Sequence, residues 1–285
     1  MAKATAKLRQ APAWLAAAGL SAVLVATPAP AQTPTKQLLL GSTTSVENSG
    51  LLGHILPRFT ALTGIEVRVV AQGTGQALAT AARGDVDLVL VHDPEAEQRF
   101  MAEGHGVERH EIAWNDFVIV GPASDPARIG GGHDAAAALQ AIWTTRAPFV
   151  ARGDSSGTSA RERQLWRGAG LDPATAPGGW YRDIGGGMGA ALNAAAAMDA
   201  YTLTDYGTWL AFGNPRNLRI LVEGGSNLIN RYDVILLAPG QRPPASDDAA
   251  RRLADWLASA DGQSAIGGYA VAGQQLFHPS ASVTP

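Results

Sequence analysis

QLLLGSTTSVENSGLLGHILPRFTALTGIEVRVVAQGTGQALATAARGDVDLVLV, residues 37–91, is the stretch whose reading decides the fold. Leu51, Leu52, Ile55, Leu56, Phe59 and Leu62 recur at helical spacing, so one face of that segment is apolar. The leucines before it read as a strand. After it, IEVRVVA alternates as a strand, QALATAARGD fits a short helix, and VDLVLV is a buried strand. Strand, helix, strand, helix, strand is the βαβ pattern, which makes the chain α/β with mainly parallel sheets.

The alternation continues outward. PEAEQRFMAEG reads as a helix with an acidic first turn, and DFVIVGP as a strand. AAAALQAIWTT, PFVA, SARERQLWRGAG, GAALNAAAAMD, YTLT, LRILVEG and YDVILLAP keep the pattern. SDDAARRLADWLASADGQSAIGGY closes it as one capped amphipathic helix. No internal repeat of fixed period stands out.

Residues 1–31 are excluded from this reading. Lys3, Lys7 and Arg9 precede an apolar run, Trp14 to Ala26, and then Ala29-Pro30-Ala31. That order is a secretory signal peptide, with cleavage expected before Gln32. A periplasmic, freely diffusing protein is expected. The remaining 254 residues carry 19 basic and 25 acidic side chains. A net-negative chain excludes a general nucleic-acid binder. With no cysteine, stability must come from the core, and there is neither a thiolate metal site nor the cysteine that a lipid anchor after the leader needs.

In parallel α/β sheets, ligands bind outside the carboxyl ends of the strands. Four turns at such ends share one composition: GSTTS after Leu40, QGTGQ after Ala71, RGDSSGTS after Ala151 and GGGMG after Ile184. Each offers backbone N–H groups at a helix start, most add hydroxyls, and helix starts attract anions. Ser, Thr and Gly also cap helices and form turns, so a single such turn says little. Four in one chain, one of them beside Arg152, point to binding of an anion. The competing role for Arg152 is a salt bridge to Asp154. The candidate donors are Thr43, Thr44, Ser45, Thr74, Arg152, Ser155, Ser156, Gly157, Thr158 and Gly189.

Other chemistry is weaker. Gly153 to Gly157, GDSSG, matches the nucleophile elbow of serine hydrolases, but His278 is the only histidine after Ser155. GGGMGA lacks a convincing acidic partner for a dinucleotide, Asp205 standing at roughly the right distance. No phosphate-loop motif exists, since Lys36 is the only lysine after the leader. His105, His110 and Glu111 match no standard metal spacing and read as a solvated turn. The tryptophans read as core or rim. No cofactor and no direct cation ligand are expected.

Residues 41–97, together with WNDFVIVGP, ARGDSSGTSARE, GMGAALNAAAAMDAYTLTD and LVEG in that order, resemble the tungstate-binding proteins of ABC transporters over nearly the whole mature chain. The resemblance implies a two-lobed type II periplasmic binding protein, each lobe a mainly parallel sheet flanked by helices. Lobe 1 is expected over 37–118 and 232–280, and lobe 2 over 119–231. It implies a monomer that closes on tungstate or molybdate and delivers it to a membrane permease, with no enzymatic activity. In that family Thr43, Thr44 and Ser45, with Arg152, Ser156, Gly157 and Thr158, supply donors. The chain departs from the family at Ser42, usually threonine, at Ser155, often an acid, and at Ser159, often histidine. Those exchanges leave tungstate versus molybdate open. A serine hydrolase, a binding protein for phosphate or another oxyanion, and a sensory module are the alternatives.

Overall fold

A computed structural model of the chain describes residues 37–240, 244–271 and 273–280; the leader reading falls outside them. β1 (Gln37–Thr43) and β2 (Glu66–Gln72) pair in parallel over their whole lengths, and β3 (Leu88–Val91) pairs in parallel with β1 on the other side. Between them lie α1 (Thr44–Asn48), α2 (Leu51–Thr63) and α3 (Thr74–Ala82). The helical spacing in residues 51–62 buries Leu51, Leu52, Ile55, Leu56 and Phe59 against the sheet, whereas Leu62 is exposed. The helix starts late because Gly50 takes a left-handed conformation (φ 80°), cheap only for glycine, and separates α1 from α2.

α4 (Pro94–Ala102) follows, capped by Asp93 with proline in its first turn. β4 (Gly106–Pro122) is then a 17-residue strand. It takes in Val107–Glu111, the segment read as a solvated turn, because those residues are mostly exposed yet pair with β9 (Ile229–Leu237). A charged, solvent-facing start hides a strand from any reading based on burial.

β4 organises the rest. Its first part pairs antiparallel with β9, its last part with β7 (Thr202–Asp205) and β8 (Leu218–Val222), and β12 (His278–Pro279) adds at its edge. β9 in turn pairs antiparallel with β3. β5 (Phe149–Ala151) and β6 (Tyr181–Asp183) form a parallel pair. Parallel βαβ pairing thus holds for β1, β2, β3 and for β5 with β6. The antiparallel pairs of the large sheet all involve β4 or β9.

Helices cover both faces. α2, with α9 (Pro244–Ala258) and α10 (Ala260–Gly267), packs on one face of the β1–β3 sheet, and α3 with α4 on the other. The single C-terminal helix expected from sequence is two helices. Ser259 breaks it, its side chain accepting from Gly262 N as the cap of α10. In the second half α5 (Ala135–Thr145) and α6 (Gly157–Gly168) pack on one side, and α7 (Met188–Met198) with α8 (Tyr206–Ala211) on the other. A short hairpin, β10 (Ala270–Val271) with β11 (Gln274–Gln275), precedes β12. Among the described residues no helix is long and apolar enough to cross a membrane.

Candidate functional site

The carboxyl ends of β1, β2 and β3 lie side by side, since Thr43 is in register with Gln72 and Ser42 with Leu90. The turns that follow start α1, α3 and α4. Across from them β5 and β6 end at Ala151 and Asp183, and the turns that follow, which hold Arg152 and Ile184, lead into α6 and α7. The two groups face a cleft of about 550 Å³ lined by residues including Thr44, Ser45, Asn48, Arg152, Asp154 and Gly189.

Local chemistry explains each position. Thr43 caps α1, its hydroxyl accepting from Val46 N at 3.2 Å, and lies 3.0 Å from Ser45 Oγ. Ser156 caps α6 by accepting from Ser159 N at 3.2 Å. Capping fixes the first turns so that the remaining N–H groups of α6 point out of the helix start. Thr74 and Thr158, at the starts of α3 and α6, are buried, and their hydroxyls have no protein partner among the described residues. A buried hydroxyl without a partner is costly.

Arg152 is 6% exposed. Its Nε donates to Asp154 Oδ2 at 2.8 Å, the salt bridge weighed from sequence. That bridge orients the guanidinium without exhausting it. Among the described residues its two terminal nitrogens have no acceptor, and both Arg152 and Asp154 line the cleft. Asp154 also accepts from Ser156 N at 3.1 Å and Ser159 Oγ at 3.1 Å. Burial alone would raise its pKa. The hydrogen bonds from Ser156 and the charge of Arg152 outweigh that and leave it below the usual carboxylate value, hence ionised.

The structure brings the expected turns together. Thr44, Ser45, Arg152 and Gly189 line the cleft directly, whereas Thr43, Thr74, Ser155, Ser156, Gly157 and Thr158 do not. Those six sit beside it. A Cβ on Gly73 would lie 2.9 Å from Ser155 Oγ, and a Cβ on Gly157 would lie 2.6 Å from the His92 ring. The turns of the two halves therefore touch, and glycine at both points makes the approach sterically free. The GGGMG turn joins through Gly186 N, which donates to Arg152 O at 3.0 Å. Ser42 is turned into the sheet and donates to Leu90 O. The departure from threonine there falls outside the cleft. Ser159, in place of the family's histidine, holds Asp154.

Several residues escaped the sequence reading. Asn48, Ser49 and Thr208 line the cleft. Thr208 is fixed by Asp205, which caps α8. His92, buried at the end of β3, holds Ser45 Oγ at 2.9 Å and Thr43 Oγ1 at 3.2 Å through Nε2. The signal lies in VHDP, which puts a polar side chain at a strand end, as the four donor turns do. No triad forms. Ser155 packs on Gly73, while His278 pairs with Trp114 in the sheet and stacks on its ring at 4.1 Å. Nor do the described residues contain a group of three or more metal-ligating side chains.

Comparison with known proteins agrees with this geometry. Residues 28–261 match the PBP superfamily domain. The tungstate-binding protein TupA of Peptoclostridium acidaminophilum is 41% identical over 249 residues, 86% of each chain. Two solved structures superpose closely. The tungstate-binding protein TupA from Desulfovibrio alaskensis G20 has a TM-score of 0.78 at 42% identity, over 87% of this chain and 100% of the other. The tungstate ABC transporter protein from Geobacter sulfurreducens has 0.73 at 43%, over 82% and 98%. The chain belongs to the PBP superfamily, within the family of TupA tungstate-binding proteins.

Proposed function

We propose that this chain is the substrate-binding protein of an ABC transporter. It captures tungstate, or molybdate, in the cleft between its two halves and hands it to a membrane permease. One observation carries the reading: donor turns from both halves meet at one cleft, with Arg152 in its lining and no acceptor on its terminal nitrogens among the described residues. The relatives named as tungstate-binding proteins support the same ligand class.

A doubly charged oxyanion loses strong hydration on entering a protein, so the site must replace water with aimed donors. Hydroxyls of Thr44 and Ser45, the helix-start N–H groups of α1, α6 and α7, and Arg152 do so. Charge-assisted hydrogen bonds contribute about 1.5–3 kcal/mol each. About five to seven of them offset desolvation and closure to reach nanomolar binding, about −12 kcal/mol. Thr43 and Ser156 act by capping, while Thr74, Ser155, Gly157 and Thr158 complete the site where the halves meet. The two lobes are 37–118 with 232–280, and 119–231; they close by a hinge motion. Cleavage after residue 31 releases a monomer into the periplasm, and no step of this function needs catalysis.

Phosphate carries a proton at neutral pH and needs an acceptor. Asp154 already accepts three hydrogen bonds and is ionised, so it adds repulsion more than recognition. Calorimetry of the mature protein with tungstate, molybdate, sulfate and phosphate tests the assignment. Tight binding confined to the first two is expected; comparable affinity for all four would refute it.

A further inference from the structure

His92, in the turn between β3 and α4, touches both groups of turns. Through Nε2 it meets Ser45 Oγ and Thr43 Oγ1. Its ring lies against Gly157 of the opposite turn, where a Cβ would fall 2.6 Å from Cε1. Nδ1 meets Asn230 Oδ1 at 3.1 Å. Asn230 Nδ2 donates to Asn115 Oδ1 at 2.9 Å and to Tyr232 Oη at 2.6 Å. The amide oxygen therefore faces the ring, and Nδ1 carries the hydrogen. A neutral ring then has a lone pair on Nε2, which draws a hydroxyl hydrogen from Ser45 or Thr43 away from the cleft. A second ring proton reverses that bond: Nε2 donates, and the hydroxyl of Ser45, which lines the cleft, can donate to an anion.

We propose that His92 is the positioning residue of the oxyanion site: through Nε2 it sets which way the Ser45 and Thr43 hydroxyls point, and it takes up a proton as the anion binds. This rests on the oxyanion-binding reading above. The charged and titratable groups around the ring are Asp205, at the end of β7, Asp93, on the same turn, Arg152, after β5, and Tyr232, on β9, whose ring centroid is 5.1 Å away. Burial, the largest influence, holds the empty-site histidine below its ordinary pKa, and Arg152 acts the same way, while Asp205, Asn230 and Asp93 oppose them. A dianion in the cleft adds to the second set. The pKa is then higher in the complex than in the empty site. Affinity falls as pH rises between the two values, by at most about tenfold per pH unit for one proton.

The experiment is calorimetry with sodium tungstate over a series from mildly acidic to mildly alkaline pH, in two buffers of different ionisation enthalpy. The wild-type protein should take up a proton within part of that range and lose affinity there as pH rises. His92→Gln places a permanent N–H near the position of Nε2. It should bind within about tenfold of wild type with no proton uptake and a flat pH profile. His92→Leu should lose about a hundredfold or more. Wild-type binding without proton uptake, uptake that persists in His92→Gln, or wild-type affinity in His92→Leu would each overturn the proposal. The wild-type measurement decides it even where a variant folds poorly. Absence of any tungstate binding by the wild type counts instead against the oxyanion reading itself.

Discussion

Removal of Arg152 is the perturbation whose size the structure best defines. The guanidinium is buried, its Nε is held by Asp154, its two terminal nitrogens have no acceptor among the described residues, and the residue lines the cleft. Arg152→Ala deletes about two charge-assisted hydrogen bonds to the ligand, about 3–6 kcal/mol, or about 10²- to 10⁴-fold in affinity. It also leaves the Asp154 carboxyl, still hydrogen-bonded by Ser156 and Ser159, facing an incoming anion without a counter-charge. Arg152→Ala/Asp154→Asn removes that repulsion and should regain about tenfold over the single variant. The fold should survive. Asp154 keeps two of its three donors and is 27% exposed, so the loss in stability stays at about 1–2 kcal/mol. Calorimetry with tungstate reads the affinities, and thermal unfolding of the empty protein reads the stability. Arg152→Ala binding within tenfold of wild type would refute the role given to the arginine. A double variant no better than the single one would refute the role given to Asp154.

Gly157→Ala should weaken tungstate binding by about 10- to 100-fold, because a methyl would meet the His92 ring; equal affinity by calorimetry would show that the turns do not need this approach. Ser155→Ala should change affinity by only a few-fold, and Ser155 should resist a fluorophosphonate probe, since it has no histidine beside it; covalent labelling seen by mass spectrometry would revive the hydrolase reading. Burial pushes the Glu162 carboxyl up to about 7. The folded state therefore holds a proton that the unfolded state has lost, and stability falls as pH rises from about 4.5 to beyond about 7 by up to about 3 kcal/mol. Glu162→Gln should flatten that part of the thermal-unfolding profile, and an unchanged slope would assign the pH dependence to other groups.

Much of the architecture was legible because periodicity is a property of short windows. The apolar stripe of α2 and the buried run of β3 are visible without any knowledge of the partners they pack on. Donor turns were legible for a similar reason: Ser, Thr and Gly at a strand end followed by a helix are local. Three features were missed, two of them because they are not local. The start of β4 looks like a charged turn because pairing with β9, more than a hundred residues later, makes it a strand. The break at Ser259 is a single hydrogen bond inside an otherwise continuous helical pattern. His92 gains its place from Ser45, Asn230 and Gly157, residues from three distant segments. The Arg152–Asp154 bridge was foreseen as a competitor to ligand binding. The bridge uses Nε alone and leaves the two terminal nitrogens without an acceptor among the described residues.

The long strand β4 has a consequence for handling the molecule. Its residues up to Asp116 belong to the ladder with β9, and those from Phe117 onward pair with β7 and β8. One continuous ribbon is thus a border strand for two sets of neighbours, and the first set also draws on β9, near the other end of the chain. No single cut can release either half with its hydrogen-bonding edge intact. Complementation by two co-expressed fragments is therefore better attempted with a break in the turn around 124–131 than anywhere within 106–122, where both ladders would be left with a frayed border.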